Sequence, residues 1–247
     1  MSTARFLVDT DELDRDEVLL RGPELRHLRA RRLGPGAEIV LIDGGGRERH
    51  AVVVAVTRVQ AVARVQPDQG TGSRPLESPL RLTLAQAALK SDKLDLVIEK
   101  ATELGVADLV VFTSSRCVSK PSRERLPRWE RLARSAAKQC QRTCIPAIRG
   151  PMSFGEVLAE ERRGVALLFW EDANANDRHI LQETKAPGSV LAMVGPEGGF
   201  SAEEADAARA AGFRVVGLGP RILRAETAAI VAVAMCQMIW GDLQISQ

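Results

Sequence analysis

The sequence predicts an α/β protein in two parts: a small β-barrel at residues 1–70 and a parallel-sheet domain at 80–247, joined by a linker at 71–79. Three observations predict it. Around residues 191–229, LAMVGPEGGFSAEEADAARAAGFRVVGLGPRILRAETAA, two apolar strands at 190–194 and 213–218 each run into a glycine-containing loop, with a helix between them. Such a strand, helix, strand unit crosses over right-handedly and makes a parallel sheet. Residues 1–66 instead carry short alternating runs at 5–8, 38–42, 51–56 and 61–65, broken by GPG at 34–36 and GGG at 44–46, as a small barrel does. Between the two, PDQGTGSRPLESP at 67–79 is rich in Pro, Gly and Ser and has no apolar periodicity.

In the first part, one helix is expected from Pro23 to about Arg32, carrying Arg26, Arg29, Arg31, Arg32 and His27. Arginine outnumbers acid there, which suits phosphate contact, although a solvated helix face is the common alternative. After the linker, strand 80–88 precedes a helix at 92–104 with Leu94, Val97, Ile98, Ala101 and Leu104 on one face, stopped by Gly105. By spacing, Lys93, Glu99, Lys100 and Glu103 form surface ion pairs on that helix. Strand 108–113 follows, then the loop SSRCVSKPSRERLPR, whose prolines and basic residues prevent regular structure throughout.

A helix at 128–142 buries Trp129, Leu132, Ala133, Ala136, Ala137 and Cys140, and presents Arg128, Arg131, Arg134, Lys138 and Arg142 on another face. From Arg116 to Arg149 the chain has ten Lys and Arg against only Glu124 and Glu130, so the stripe reads as uncompensated charge fit for a polyanion. A helix at 153–163, a buried strand at 165–170 and a polar loop DANANDRH come next; Glu171 ends the strand, either near a ligand or as a plain surface residue. Ser201 caps a helix running to Ala211 and ended by Gly212. The last helix, 225–240, has few charges on any side and must be buried on several.

Composition limits the function. The chain has 247 residues, 45% of them hydrophobic, and a net charge of +2. Its acidic start argues against a secretion signal, and no apolar run is long enough to span a bilayer, so a cytoplasmic protein with no membrane partner is expected. Cys117, Cys140, Cys144 and Cys236 form no C-x-x-C pair, and His27, His50 and His179 are scattered, so no metal is expected.

Ligands of parallel sheets gather where strand C-termini meet their loops, and both glycine loops lie on that edge. Gly195, Gly198, Gly199, Gly217 and Gly219 let a ligand approach the main chain, which suits an adenosine-like molecule read by peptide groups. The spacing matches neither G-x-G-x-x-G nor the P-loop, so it is not a phosphate cradle. VGPEGGFS at 194–201 with LGPRILRAETA at 218–228, supported by KSDKLDLVIEKATELGV at 90–106, SSRCV at 114–118 and AAKQCQR at 136–142, resembles the bacterial methyltransferases that modify N3 of a uridine in 16S ribosomal RNA, members of the SPOUT superfamily.

The resemblance implies a PUA-like RNA-binding barrel, a trefoil-knotted methyltransferase domain whose last helix closes a knot and forms a homodimer interface, and S-adenosyl-L-methionine as cofactor. It implies the small ribosomal subunit or its 16S rRNA as partner. Cofactor contacts are expected from Gly195, Pro196, Glu197, Gly198 and Gly199, and from Leu218, Gly219, Ile222, Leu223 and Thr227. Arg224 is a candidate for stabilising charge on a uracil oxygen, and Glu226 for accepting a proton or orienting Arg224, with a helix-dipole role as the alternative for Glu226. Expected RNA contacts are Arg26, Arg29, Arg116, Arg131, Arg134, Lys138 and Arg142. Phe200 is the candidate to stack on a base or, alternatively, to pack against the neighbouring helix. A SPOUT methyltransferase of another RNA, a non-catalytic RNA-binding relative and a dinucleotide enzyme are the competing readings.

Overall fold

The computed structural model describes residues 3–67, 77–161, 164–173 and 186–243. Of the sequence readings, residues 68–76 of the linker, 162–163 at the end of one helix and 174–179 of the polar loop, with His179, lie outside them. Two compact units form: Met1–Glu77 with Ala137–Ile145, and Ser78–Ala136 with Pro146–Gln247. The last turn of the basic helix thus groups with the N-terminal unit, which no boundary drawn along the chain expresses.

In the first unit, β1 (Ala4–Leu7), β2 (Glu17–Leu20), β3 (Glu38–Ile42), β4 (Glu48–Val56) and β5 (Ala61–Val65) form one sheet in the order β1-β3-β4-β5-β2. Only β1 with β3 is parallel; the rest are antiparallel. β1 and β2 are the two ends of the sheet, so it is a half-barrel rather than a closed one. Phe6, Leu20, Ile39, Leu41 and Val53 project to one side, where Leu25 and Leu28 of α1 (Gly22–Ala30) cover them. Strand β2 went unrecognised in the sequence: EVLL is four residues long, and only Val18 and Leu20 are buried.

The second unit holds β6 (Arg81–Ala87), α2 (Ser91–Glu103), β7 (Asp108–Thr113), α3 (Leu126–Cys140), β8 (Ala147–Ser153), α4 (Phe154–Ala159), β9 (Val165–Phe169), β10 (Ser189–Val194), α5 (Ala202–Ala210), β11 (Arg214–Val216) and α6 (Ala225–Trp240). Its six strands run in the order β11-β9-β10-β6-β7-β8, all parallel. Both central strands are mostly apolar and largely buried, as strands covered on two faces are, with Gln86 the buried polar exception.

The register decides where the site falls. Val194 pairs with Phe169 and with Gln86, and Val216 pairs with Phe169, so β10, β9, β6 and β11 end at one level. Their four following loops therefore leave from one edge. Helix α6 packs on α2, β10 and β6. Its alanines Ala225, Ala229 and Ala232 allow close approach, and buried Gln237 donates to the Leu104 carbonyl (2.8 Å) and accepts from the Ser78 hydroxyl (2.7 Å). No helix among the described residues is long and apolar enough to cross a membrane.

Candidate active site

The first glycine loop is held from three directions. Gln86, wholly buried at the end of β6, donates its amide to the Gly195 carbonyl at 3.1 Å. Arg116, in the loop after β7, donates to the carbonyls of Gly198 (3.1 Å) and Phe200 (3.3 Å), and the Trp170 indole donates to Phe200 as well (3.2 Å). Ser201 and Glu204 then exchange hydrogen bonds as a capping box that starts α5. The Ser201 hydroxyl also holds the Glu203 carboxyl below its ordinary range.

Gly199 sits at φ +67°, and a Cβ there would lie 2.1 Å from a Glu171 carboxylate oxygen. Glycine is thus required both by conformation and by the closeness of that side chain. Glu171 stands at the site, so of the two readings left open for it, proximity to the ligand edge is the one the structure supports.

The second loop turns at Gly219 (φ +103°) and ends at Arg224, the N-cap of α6. Between the two loops lies an open cleft of about 180 Å³. Of the expected cofactor contacts, Gly195, Pro196, Glu197, Gly199, Ile222 and Leu223 line it, as does Arg224; Gly198, Leu218, Gly219 and Thr227 do not. Gly198 instead faces Arg116, whose Cβ would lie 3.1 Å from an added side chain. Phe169, Val194, Ala225 and Ala228 supply apolar wall.

Lys93 also lines the cleft, and its pairing corrects the sequence reading. Lys100 does pair with Glu99 and Glu103, but the Lys93 ammonium lies 3.6 Å from Glu197 and 3.5 Å from Glu226. Those partners are more than a hundred residues away in the chain, beyond the reach of helical spacing. Glu226 lies in the first turn of α6, largely buried, and its Oε2 has no hydrogen bond among the described residues. Phe200 is buried and stacks on Phe112 (6.4 Å) and against Phe154 (5.9 Å), so it packs in the core and offers no face to a base.

The basic stripe is more compensated than the sequence suggests, which is a second correction. Arg128 pairs with Asp95, Lys138 with Glu24, Arg142 with Glu77 (2.8 Å) and Arg149 with Glu160. Arg142 is buried, and Arg116 is engaged with the glycine loop. Arg26, Arg131 and Arg134 are exposed, as is Arg29, which donates to the Thr57 carbonyl. Beside Lys138, burial and that ammonium hold the His27 imidazole below its usual range. Among the described residues no cluster of His, Cys, Asp and Glu is fit for a metal.

A half-barrel followed by a parallel sheet with two glycine corners at one edge is the architecture of an RNA methyltransferase. The family model of the RNA methyltransferase domain matches residues 76–237, and that of the RNA methyltransferase PUA domain matches residues 20–66. The chain is 36% identical to ribosomal RNA small subunit methyltransferase E of Mycobacterium bovis, over 92% of this chain and 88% of that one, and 32% identical to that of Synechocystis, over 93% and 76%. A crystal structure of ribosomal RNA small subunit methyltransferase E from Neisseria gonorrhoeae, bound to S-adenosyl methionine, superposes with a TM-score of 0.87 at 30% identity, covering 98% of this chain and all of that one. The chain belongs to the family of ribosomal RNA small subunit methyltransferase E.

Proposed function

We propose that the protein methylates N3 of a uridine in 16S ribosomal RNA of the small subunit, with S-adenosylmethionine as donor. The observation that carries this reading is the convergence of the loops after β10 and β11 on one cleft, with Gly195 and Gly199 presenting main chain at its wall. The donor set fits the cofactor: Phe169, Val194, Ile222 and Leu223 offer apolar surface to an adenine, and Glu171, Glu197 and Arg224 offer charges of both signs to a zwitterionic, sulfonium-bearing chain. When bound, it supplies an electrophilic methyl group, and the electron pair of the broken C–S bond stays on sulfur.

What this chain supplies is position and charge. Arg224, at the cleft wall and without a side-chain partner among the described residues, is the group to stabilise negative charge on a uracil oxygen. Glu226, in the first turn of α6, is the nearby carboxylate to accept the proton or orient Arg224. Gly198, Leu218, Gly219 and Thr227 contribute by shaping the two loops around the ligand. For RNA, Arg26 and Arg29 on α1 and Arg131 and Arg134 on α3 are the exposed phosphate contacts, while Lys138, Arg142 and Arg116 act by holding structure.

The trefoil knot, the homodimer and a cytoplasmic site of action complete the proposal. Ile222 (87% exposed), Met238 and Leu243 are large apolar side chains left open at the second corner and the end of α6, a place for a second copy. Calorimetric titration with S-adenosylmethionine and, separately, NAD tests the pocket: saturable binding of the first alone supports the reading. Binding of NAD, or of neither even with small-subunit RNA present, contradicts it.

A further inference from the structure

The charges in the cleft divide into two kinds. Arg224 is exposed, whereas Lys93 is half-buried and paired with two carboxylates. Its stem rises from the first turn of α2, and its ammonium is placed between two carboxylates from separate elements, Glu197 of the first glycine loop at 3.6 Å and Glu226 of α6 at 3.5 Å. Both distances are ion-pair distances, too long for hydrogen bonds. Among the described residues the Lys93 ammonium donates no hydrogen bond, so its N–H groups stay uncommitted while the side chain is only 27% exposed. The Glu226 oxygen nearest the ammonium, Oε2, is buried and accepts no hydrogen bond among the described residues. A cation held by charge alone, backed by a buried carboxylate and facing a ligand cleft, is poised to bond an incoming anionic or carbonyl oxygen.

We propose that Lys93 is a further catalytic residue: its ammonium bonds a uracil carbonyl oxygen and stabilises the imide anion, with Glu197 and Glu226 holding it in place. This rests on the cleft being a uridine-N3 methylation site, as proposed above. The N3–H bond breaks and its proton passes to water in the open cleft. The electron pair left on N3 is shared with both carbonyl oxygens, and it forms the new N–CH₃ bond. Charge on those oxygens is greatest in the anion, so a fixed cation there binds the reacting state more tightly than the neutral base. Cytosine has no N3–H and carries an amino group where uracil has O4. A Lys93 contact made at O4 would face a donor in cytosine and so selects uracil.

The test compares Lys93→Met and Lys93→Arg with the unaltered protein in single-turnover methylation of small-subunit RNA, with cofactor affinity measured by calorimetry and folding by thermal melting. The RNA is used in two forms, one with uridine and one with 5-fluorouridine, whose N3–H is more acidic and whose anion needs less stabilising. Lys93→Met should lower the rate roughly 10²-fold on uridine RNA, the usual cost of removing one transition-state donor. It should leave cofactor affinity within about a factor of two and lower the melting temperature by several degrees, because the largely buried Glu226 loses its cation, so the rates are read well below that temperature. The loss should shrink several-fold on the 5-fluorouridine RNA, and Lys93→Arg should recover much of the rate. An equal loss on both RNAs would overturn the proposal, because a merely structural lysine cannot distinguish the acidity of the base. Should the unaltered protein place no methyl on uridine N3, the failure lies with the reaction assigned to the cleft and not with Lys93.

Discussion

Replacing Glu77 with alanine should destabilise the N-terminal unit far more than a surface carboxylate would. Glu77 accepts from Arg142 at 3.0 and 2.8 Å and from the backbone N–H groups of Thr143 and Cys144 at 3.0 and 2.9 Å. The Arg142 side chain is 5% exposed, so without Glu77 a buried guanidinium loses its carboxylate. Removing one partner of such a pair costs about 3–5 kcal/mol; since the Glu77 side chain is itself 23% exposed, about 3 kcal/mol is expected. Arg142→Met should cost less, because Glu77 keeps its two backbone donors and some water. The double variant should cost clearly less than the sum of the two single ones, as a shared interaction requires. Urea unfolding followed by circular dichroism measures all three. A loss under about 1 kcal/mol for Glu77→Ala, or an Arg142→Met variant of full stability but weakened RNA binding, would refute the assignment of Arg142 to structure.

Gly199→Val should abolish cofactor binding, since its Cβ meets Glu171 at 2.1 Å in a backbone conformation at φ +67° that branched side chains avoid; calorimetry on the folded variant checks it. Arg131→Ala with Arg134→Ala should lower the salt dependence of RNA affinity by about 0.7–0.9 per residue removed, while Lys138→Ala, whose ammonium is already taken by Glu24, should change it less. Burial pushes the Cys236 thiol up to about 12, from 9.0. The neutral thiol is therefore favoured by folding, and its contribution is complete below pH 9 and lost between pH 9 and about 12, at about 1.4 kcal/mol per pH unit. Cys236→Ala should flatten the fall in stability over that alkaline range, read from urea midpoints at successive pH values.

The sequence was most legible where local signals coincide. Strand β10, the GPEGG turn, the Ser201 cap and helix α6 are marked by apolar runs, glycine and capping residues within a few positions of one another, and α6 has the bounds expected of it. Strand β8 escaped because AIRGPMS contains a glycine and a proline, residues that signal a break; as the edge strand of the sheet it tolerates both. Gly150 is needed there, since a Cβ would meet the Val111 carbonyl at 2.1 Å beside the register shift with β7. The charges were least legible. Arg142 and Glu77 are 65 residues apart and Lys138 and Glu24 are 114 apart, so counting acids near the basic stripe could not find them. Lys93 was hidden for the same reason: its helical neighbours suggested partners, and the fold supplied others.

Nucleoside mass spectrometry tests the central claim most directly. Small subunits whose 16S RNA lacks 3-methyluridine would be incubated with the protein and isotopically labelled S-adenosylmethionine, then digested. The account predicts labelled 3-methyluridine from a single 16S position and none with the Gly199→Val variant. Label on another nucleoside, or no label despite saturable cofactor binding, would contradict it.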